Sequence, residues 1–482
     1  MQFTMRTIIL LLLFTSVTTA FSQQLQAIHG SAYAGSMAPD YNPAGILNAP
    51  YKWDLTILGV QGKTMSNAFY IEPYSLLSAA DSVYAVSKNG NFRRYAHTAA
   101  TVNLMNFRYQ INEVSAFSLG ANIRSYNHVR SSPVNWHDSM LYVYEFAAQN
   151  QPTTSLYAAT QSSGWLELKM GYARVLSQTY AGRWQGGVQL KFMRSLSGAH
   201  GRLSNINFEP RTSPNPFVPY DFALTAADAR YGYSNNYDRT NNDQSAGTNI
   251  KQFLKGMSNS VGLDLGVEYI HYWESDALYL EKPPAPHDYN WKFSAALLDI
   301  GRNTYTYGKA SAHASGAKDG TYASSLQNKF NDLENINQLS DTIKSIAARY
   351  DTLRGNFSIN QPTRLLINFD KNLEKNFYVN AELQWSIRSI DNVGQLNTKE
   401  LTTFAITPRW EKKELGVYLP VQYTLERSAW VGLALKAGPL LVGLHNLGWL
   451  LGKKSVPNGG GYVTLQIRPG NKKEKDAPCP DY

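Results

Sequence analysis

The sequence predicts an all-β fold, a transmembrane antiparallel β-barrel of about 14 strands with an N-terminal plug-like segment and a helical loop insert. Three observations carry that prediction: runs that alternate strictly between apolar and polar residues, the length of those runs, and a leader on a chain with no other long apolar stretch. Phe377-Tyr-Val-Asn-Ala-Glu-Leu-Gln-Trp-Ser-Ile-Arg388 displays the alternation most plainly. Phe377, Val379, Ala381, Leu383, Trp385 and Ile387 share one face of a strand; Tyr378, Asn380, Glu382, Gln384, Ser386 and Arg388 share the other. The apolar face needs a second sheet or lipid to cover it, and the polar face expects water.

The leader bears on that choice. Arg6 precedes the apolar run Ile8–Phe14, and Ala20 and Ser22 stand at the small-residue positions for cleavage before Gln23. This is the pattern of a secretory signal peptide over residues 1–22, too short to span a bilayer. No other segment approaches the ~20 consecutive apolar residues of a membrane helix, and the mean hydropathy is −0.35. A chain of this kind enters a membrane as a closed barrel. Its single cysteine, Cys479, excludes an intrachain disulfide and a cysteine metal cluster. The net charge of +9 is modest for the length, with a basic tail over 471–482 at Lys472, Lys473 and Lys475. With 31 Tyr, 10 Trp and only 17% charged residues, the composition suits strands with aromatic girdles, although a secreted sandwich or propeller shares it.

The same two-residue period marks Ala116–Arg124, Trp165–Ala173, Val261–Tyr269, Leu415–Glu426 and Tyr462–Arg468. Less regular strands are expected near 52–60, 99–110, 182–195, 200–209, 289–302, 361–370, 399–411 and 429–447. Many of these runs are about 9–12 residues long, as a tilted membrane strand requires. Strands of water-soluble proteins average nearer ~5–6, so length favours lipid over a second sheet. Mid-strand polar residues such as Glu167, Lys169, Asp264, Glu268, Glu382 and Arg388 are then expected to line a lumen. Gly120, Gly171, Gly262 and Gly266 on the same face suit crowded lumen packing or strand bending. Short turns are expected at 110–113, 371–374 and 411–413, and long loops over 125–163, 210–257 and 303–360. The last of these has internal order. Leu326, Phe330, Leu333, Ile336, Leu339, Ile343, Ile346, Tyr350 and Leu353 recur at helical spacing, as one amphipathic helix or a pair. Such a helix either caps a pore mouth or covers the strands of its own loop.

The segment over 23–50 precedes the barrel of 51–470 and carries the most specific motifs. His29-Gly-Ser-Ala-Tyr-Ala-Gly35 leads to Tyr41-Asn-Pro-Ala-Gly45, and Tyr51-Lys-Trp-Asp-Leu-Thr-Ile-Leu-Gly-Val60 opens the first strand. This resembles the N-terminus of a family of Bacteroidota outer-membrane β-barrel proteins of unknown function. Asn42-Pro43-Ala44 is also similar to an element of long-chain fatty-acid transporters and of type IX secretion barrel proteins. Ala296-Leu-Leu-Asp-Ile-Gly301 and Gly443-Leu-His-Asn-Leu-Gly448 resemble a strand-end element that recurs in these barrels. The resemblance implies a bacterial outer-membrane location and an N-terminal segment that plugs the lumen. From the residues alone, Pro43 holds Asn42 extended, which equally suits a plain turn before the first strand.

No catalytic constellation emerges. The nine histidines are scattered, Trp136-His-Asp138 sits in an expected loop, and no Gly-x-Ser-x-Gly elbow is present. No cofactor, metal or nucleic-acid partner is expected; the basic residues are dispersed among acidic ones. The expected function is passive transport or binding of a small hydrophobic or amphipathic solute. Its polar path would include Asp264, Glu268, Glu382 and Arg388, gated at Asn42, Pro43 and Ala44. The alternative is a non-enzymatic accessory or structural barrel subunit of an envelope or secretion complex. Expected partners are outer-membrane lipid, a hydrophobic small molecule and an envelope protein.

Overall fold

A computed structural model describes residues 26–72, 84–151, 156–212, 220–240, 244–273, 288–331, 333–390, 394–426, 428–451 and 458–469. The leader over 1–22 and the tail over 471–482 lie outside the described residues. Fourteen antiparallel strands close into a barrel. They are β1 (Trp53–Ser66), β2 (Gly90–Asn112), β3 (Ser115–Trp136), β4 (Leu156–Gln178) and β5 (Gly182–Thr212). Next come β6 (Asn259–Tyr272), β7 (Tyr289–Thr306), β8 (Arg364–Asn372), β9 (Phe377–Ser386) and β10 (Thr403–Glu411). The last four are β11 (Leu415–Tyr418 and Val421–Thr424), β12 (Ala429–Val431 and Leu433–Ala437), β13 (Leu440–Leu444) and β14 (Asn458–Ile467). β1 pairs with β2 on one side and β14 on the other, so the wall has no edge.

The alternation sorts side chains to two sides of this wall. On β9, Phe377, Leu383 and Trp385 are 52%, 38% and 57% exposed, while Asn380, Glu382 and Gln384 are at most 5% exposed. Leu168, Met170 and Tyr172 of β4, Leu190 and Phe192 of β5, and Val261, Leu265 and Val267 of β6 continue the apolar outer face. Val417, Val421 and Tyr423 carry it across β11 despite the break at Pro420. Near the end with short turns, Trp184, Tyr269, Trp291 and Phe369 form a row with ring centroids 4.9, 5.4 and 6.0 Å apart. A continuous apolar band rimmed by aromatics is what lipid would cover. Leu190→Arg is therefore expected to cost about 2–4 kcal/mol in vesicles, read by equilibrium urea unfolding. An unchanged midpoint would mean that Leu190 does not face lipid.

Beyond the band, the wall is taller on one side. β2 to β5 are 22 to 31 residues long, against 9 to 10 for β8 to β10. The excess of β5 pairs with Tyr220–Tyr233, which pairs with Ala312–Ala317, which pairs with Ala347–Thr352. Helices α1 (Val143–Gln149), α2 (Ala246–Phe253), α3 (Ala323–Phe330) and α4 (Ile336–Ile346) stand at this end. Ala147, Phe208, Leu224, Ala323 and Leu326 pack together, so α1 and α3 bury their apolar faces on the extended wall.

Several boundaries differ from the expectation. Windows 182–195 and 200–209 are one strand, β5, while window 429–447 holds both β12 and β13. The total is the same because these two differences offset. The loop expected over 125–163 is mostly strand, since β3 runs to Trp136 and β4 begins at Leu156. Above the band no lipid selects apolar residues for the outer face, so the two-residue signature fades where the hydrogen-bonded ladder continues. The helical period assigned through Leu353 stops at Ile346; residues 347–352 form a strand instead.

Candidate functional site inside the barrel

Residues 26–50 lie inside the barrel as three short 3-10 helices, Gln26–Ile28, Gly35–Asp40 and Pro43–Leu47. Asn42 is extended, as a residue before proline must be, and its side-chain oxygen accepts from the Ala44 amide at 2.9 Å. Its amide nitrogen donates to the Val267 carbonyl of β6 at 3.2 Å. The wall makes room here: a Cβ on Gly266 would stand 2.0 Å from Asn42 Oδ1, and one on Gly187 2.5 Å from Ala44 N. Gly266→Ala is thus expected to unseat the segment at a cost of about 1–3 kcal/mol. A Tm in detergent equal to that of the parent protein would show that Asn42 does not seat against β6.

Polar wall residues hold the rest of the segment. Arg108 donates to the carbonyls of Ile46, Tyr51 (2.8 Å) and Ala49 (3.2 Å) and pairs with Asp54 at 3.1 Å. Asp54 accepts from the Ser36 amide at 2.5 Å, and Gly35, with φ +56°, keeps a side chain out of its way. Lys292 donates to the Gly30 carbonyl at 2.7 Å; Ser31 donates to Glu411 at 2.7 and 2.8 Å. Glu382 accepts from Gln26 at 2.7 Å and lies 2.6 Å from His29 Nδ1. Asn48 donates to Glu268 at 2.5 Å, and Gln185 bonds both. Burial lifts the Tyr41 phenol well above its ordinary value, so that ring stays neutral.

Above this segment sits a layer of buried charge centred on Asp299. Asp299 lies in a bulge of β7, with φ +56°, at the Asp of the strand-end element 296–301. Its carboxylate accepts from Arg124 (2.5 and 2.9 Å), Lys191 (2.6 Å) and Arg364. Lys191 also pairs with Asp264 at 2.7 Å, and Asp264 accepts from the Asp299 amide at 2.6 Å. Asp40 of the N-terminal segment pairs with Lys169, joining the two layers. An aromatic layer follows: Tyr126 stacks on Trp165 at 5.6 Å, with the Arg124 guanidinium 5.4 and 5.2 Å from the two rings.

A second segment enters from the opposite end. Between β9 and β10 the chain turns inward, burying Ile390, Asn397, Thr398, Glu400 and Leu401. The Asn397 amide reaches Gln161 of β4 at 2.9 Å, and Leu396 packs with Tyr305, Phe357 and Ile359. Between the two inserted segments remains a cavity of about 30 Å³, lined by His29, Met37 and Tyr41 on one side and Arg124, Lys191, Arg364 and Glu400 on the other. That is room for no more than a few water molecules.

Asp264, Glu268 and Glu382 all point inward and are at most 5% exposed, but in different layers: Glu268 and Glu382 hold the N-terminal segment and Asp264 belongs to the charged one. Arg388 follows the end of β9, half-buried. Asn42, Pro43 and Ala44 sit against Gly187 and Gly266. Sequence reasoning missed the role of Asp299, Arg364, Arg108, Asp54 and the segment 394–402. Asp299 and Asp54 stood inside motifs already singled out, but no period ties them to their partners, which are supplied by distant strands. Among the described residues no group of three or more His, Cys, Asp or Glu could hold a metal.

A closed wall with an apolar outside and a charged inside, with an N-terminal segment packed within it, defines the class of closed fourteen-stranded antiparallel β-barrels. The chain belongs to the family of unknown function DUF5723, whose model matches residues 43–444. No curated protein matches the chain. Among solved structures it is similar to a Pseudomonas aeruginosa FadL homologue, at 11% identity and TM-score 0.41, covering 93% of this chain and 99% of that one. It is also similar to the P. putida toluene transporter TodX, at 11% identity and TM-score 0.39, covering 91% and 95%.

Proposed function

We propose that this protein is an outer-membrane barrel that binds and passes a small amphipathic solute through a lumen held shut at rest. The observation that carries the reading is the layering between the two inserted segments, where an aromatic layer at Tyr126 and Trp165 lies directly against the charged one. An open diffusion pore would have no use for two inserted segments. A structural filler would have no use for the phenols of Tyr41 and Tyr126 facing one small cavity together with Arg124, Lys191 and Arg364. Opening needs only non-covalent release, because the segments are held by hydrogen bonds and ion pairs. The apolar band and aromatic row support a bilayer seat, and the leader supports export. Asn42, Pro43 and Ala44 act as the hinge of the N-terminal gate, with Glu268 and Glu382 as its catches; Asp264 lines the path above, and Arg388 its rim. Proteoliposomes containing the full chain should take up medium-chain amphiphiles faster than protein-free vesicles. Equal rates, with no ligand binding in detergent, would sink the reading.

A second reading, an accessory barrel that docks an envelope protein, is favoured by one observation. Tyr220 and Ile250 at the tall end are 70% and 61% exposed, and aromatic and apolar residues are common interface anchors. A stoichiometric partner recovered after crosslinking at position 220 would support it; a clean monomer would not.

A further inference from the structure

On the β1–β2 side of the lumen, one cation is buried without a contact that neutralises it. Lys63 is 2% exposed, and its Nζ has no hydrogen-bond partner. What it faces is the ring of Trp430, 5.1 Å away. Beside it His97 is fully buried with neither ring nitrogen bonded, and Trp430 Nε1 is also unpartnered. All three elements, β1, β2 and β12, are firmly paired strands, so these donors are held in place rather than drifting.

Burying an ammonium with no acceptor costs several kcal/mol, and a wall carries such a group where an acceptor comes to it. Glu400 and Glu426 are the carboxylates that act on Lys63. Neither forms an ion pair with it among the described residues. Glu400 Oε1 lies 3.8 Å from His97 Nε2, too far for a hydrogen bond, and accepts instead from the Leu401 amide at 2.9 Å. Leu401 closes the site from above, packed on Met65, Tyr95 and Trp430. A strong donor set thus faces a weak, tethered acceptor on a segment that has entered from the loop end.

We propose that Lys63, His97 and Trp430 Nε1 form an oxyanion subsite for the acidic head, carboxylate or phosphate, of the transported solute. Glu400 stands in for that head at rest and leaves with residues 394–402 when the solute arrives. Lys63 supplies three donors and the charge, while His97 and Trp430 each add a directed N–H. This rests on the reading of the lumen as a binding chamber and names the class of ligand.

Decanoate, decyl phosphate and decanol, titrated into the full chain in a neutral detergent by calorimetry, test it. The two acids should bind about tenfold more tightly than the alcohol, and the tighter of the two identifies the head group. Lys63→Met should bring both acids down to the affinity of decanol, and Glu400→Gln should tighten them. If Lys63→Met fails to assemble, Trp430→Phe removes one donor alone and should weaken the acids but not the alcohol. Equal affinity for all three probes, unmoved by either substitution, would overturn the subsite and leave the amphiphile reading standing. No binding of any probe would overturn both.

Discussion

Deleting residues 26–50 is expected to turn a silent barrel into a conducting one. In planar bilayers the full chain should give little current, and the deletion should raise it by an order of magnitude or more, as the plugged half of the lumen fills with water. The barrel should survive, because the backbone ladder of each wall strand is formed with its neighbouring strands. The groups left behind are Arg108, Asp54, Lys292, Glu382, Glu268 and Glu411, all of which water solvates well. Asp54–Arg108 and Asp370–Arg409, at 3.1 and 2.7 Å, are pairs within the wall and remain. A deletion that stays silent would assign the seal to residues 394–402 alone, and the N-terminal gate would be wrong.

Asp299→Asn should be the most destabilising single substitution in the lumen, by about 3–5 kcal/mol in urea unfolding. The side chain keeps its shape, and Asn tolerates the positive φ of this position. What changes is charge. Arg124, Lys191 and Arg364 would face one another with their shared anion gone, leaving Asp264 and Glu167 to offset three cations. The double substitution Asp299→Asn with Arg364→Met should recover part of the loss, since it removes one of the stranded cations. A loss below about 0.5 kcal/mol, the usual scatter of surface changes, would mean that water screens the cluster and that the layer is not dry.

The wall was legible because lipid imposes a local rule. Each strand that crosses the band must put an apolar residue outward at every second position, and Phe377–Trp385 or Val261–Tyr269 can be read without knowing any neighbour. Where the wall rises past the band the rule lapses, and Ser125–Trp136 read as loop although it is strand. The N-terminal segment was legible for a different reason. Pro43 holds Asn42 extended, and Gly266 on a polar face suited close packing or strand bending. Whether that element was a turn or lay within the lumen had no local signature.

The sequence by itself determined where most strands cross the apolar band, which side of each faces out there, and the extended backbone of Asn42, because those depend on residues next to or near one another in the chain. Only the tertiary structure decided what fills the interior: closing fourteen strands brings Asp299 to Arg124 and Lys191, and Lys63 to His97 and Trp430. Coulomb attraction and hydrogen bonding act between atoms a few ångströms apart, whatever their separation along the chain. Barrel closure sets those distances, and no repeat in the sequence encodes them.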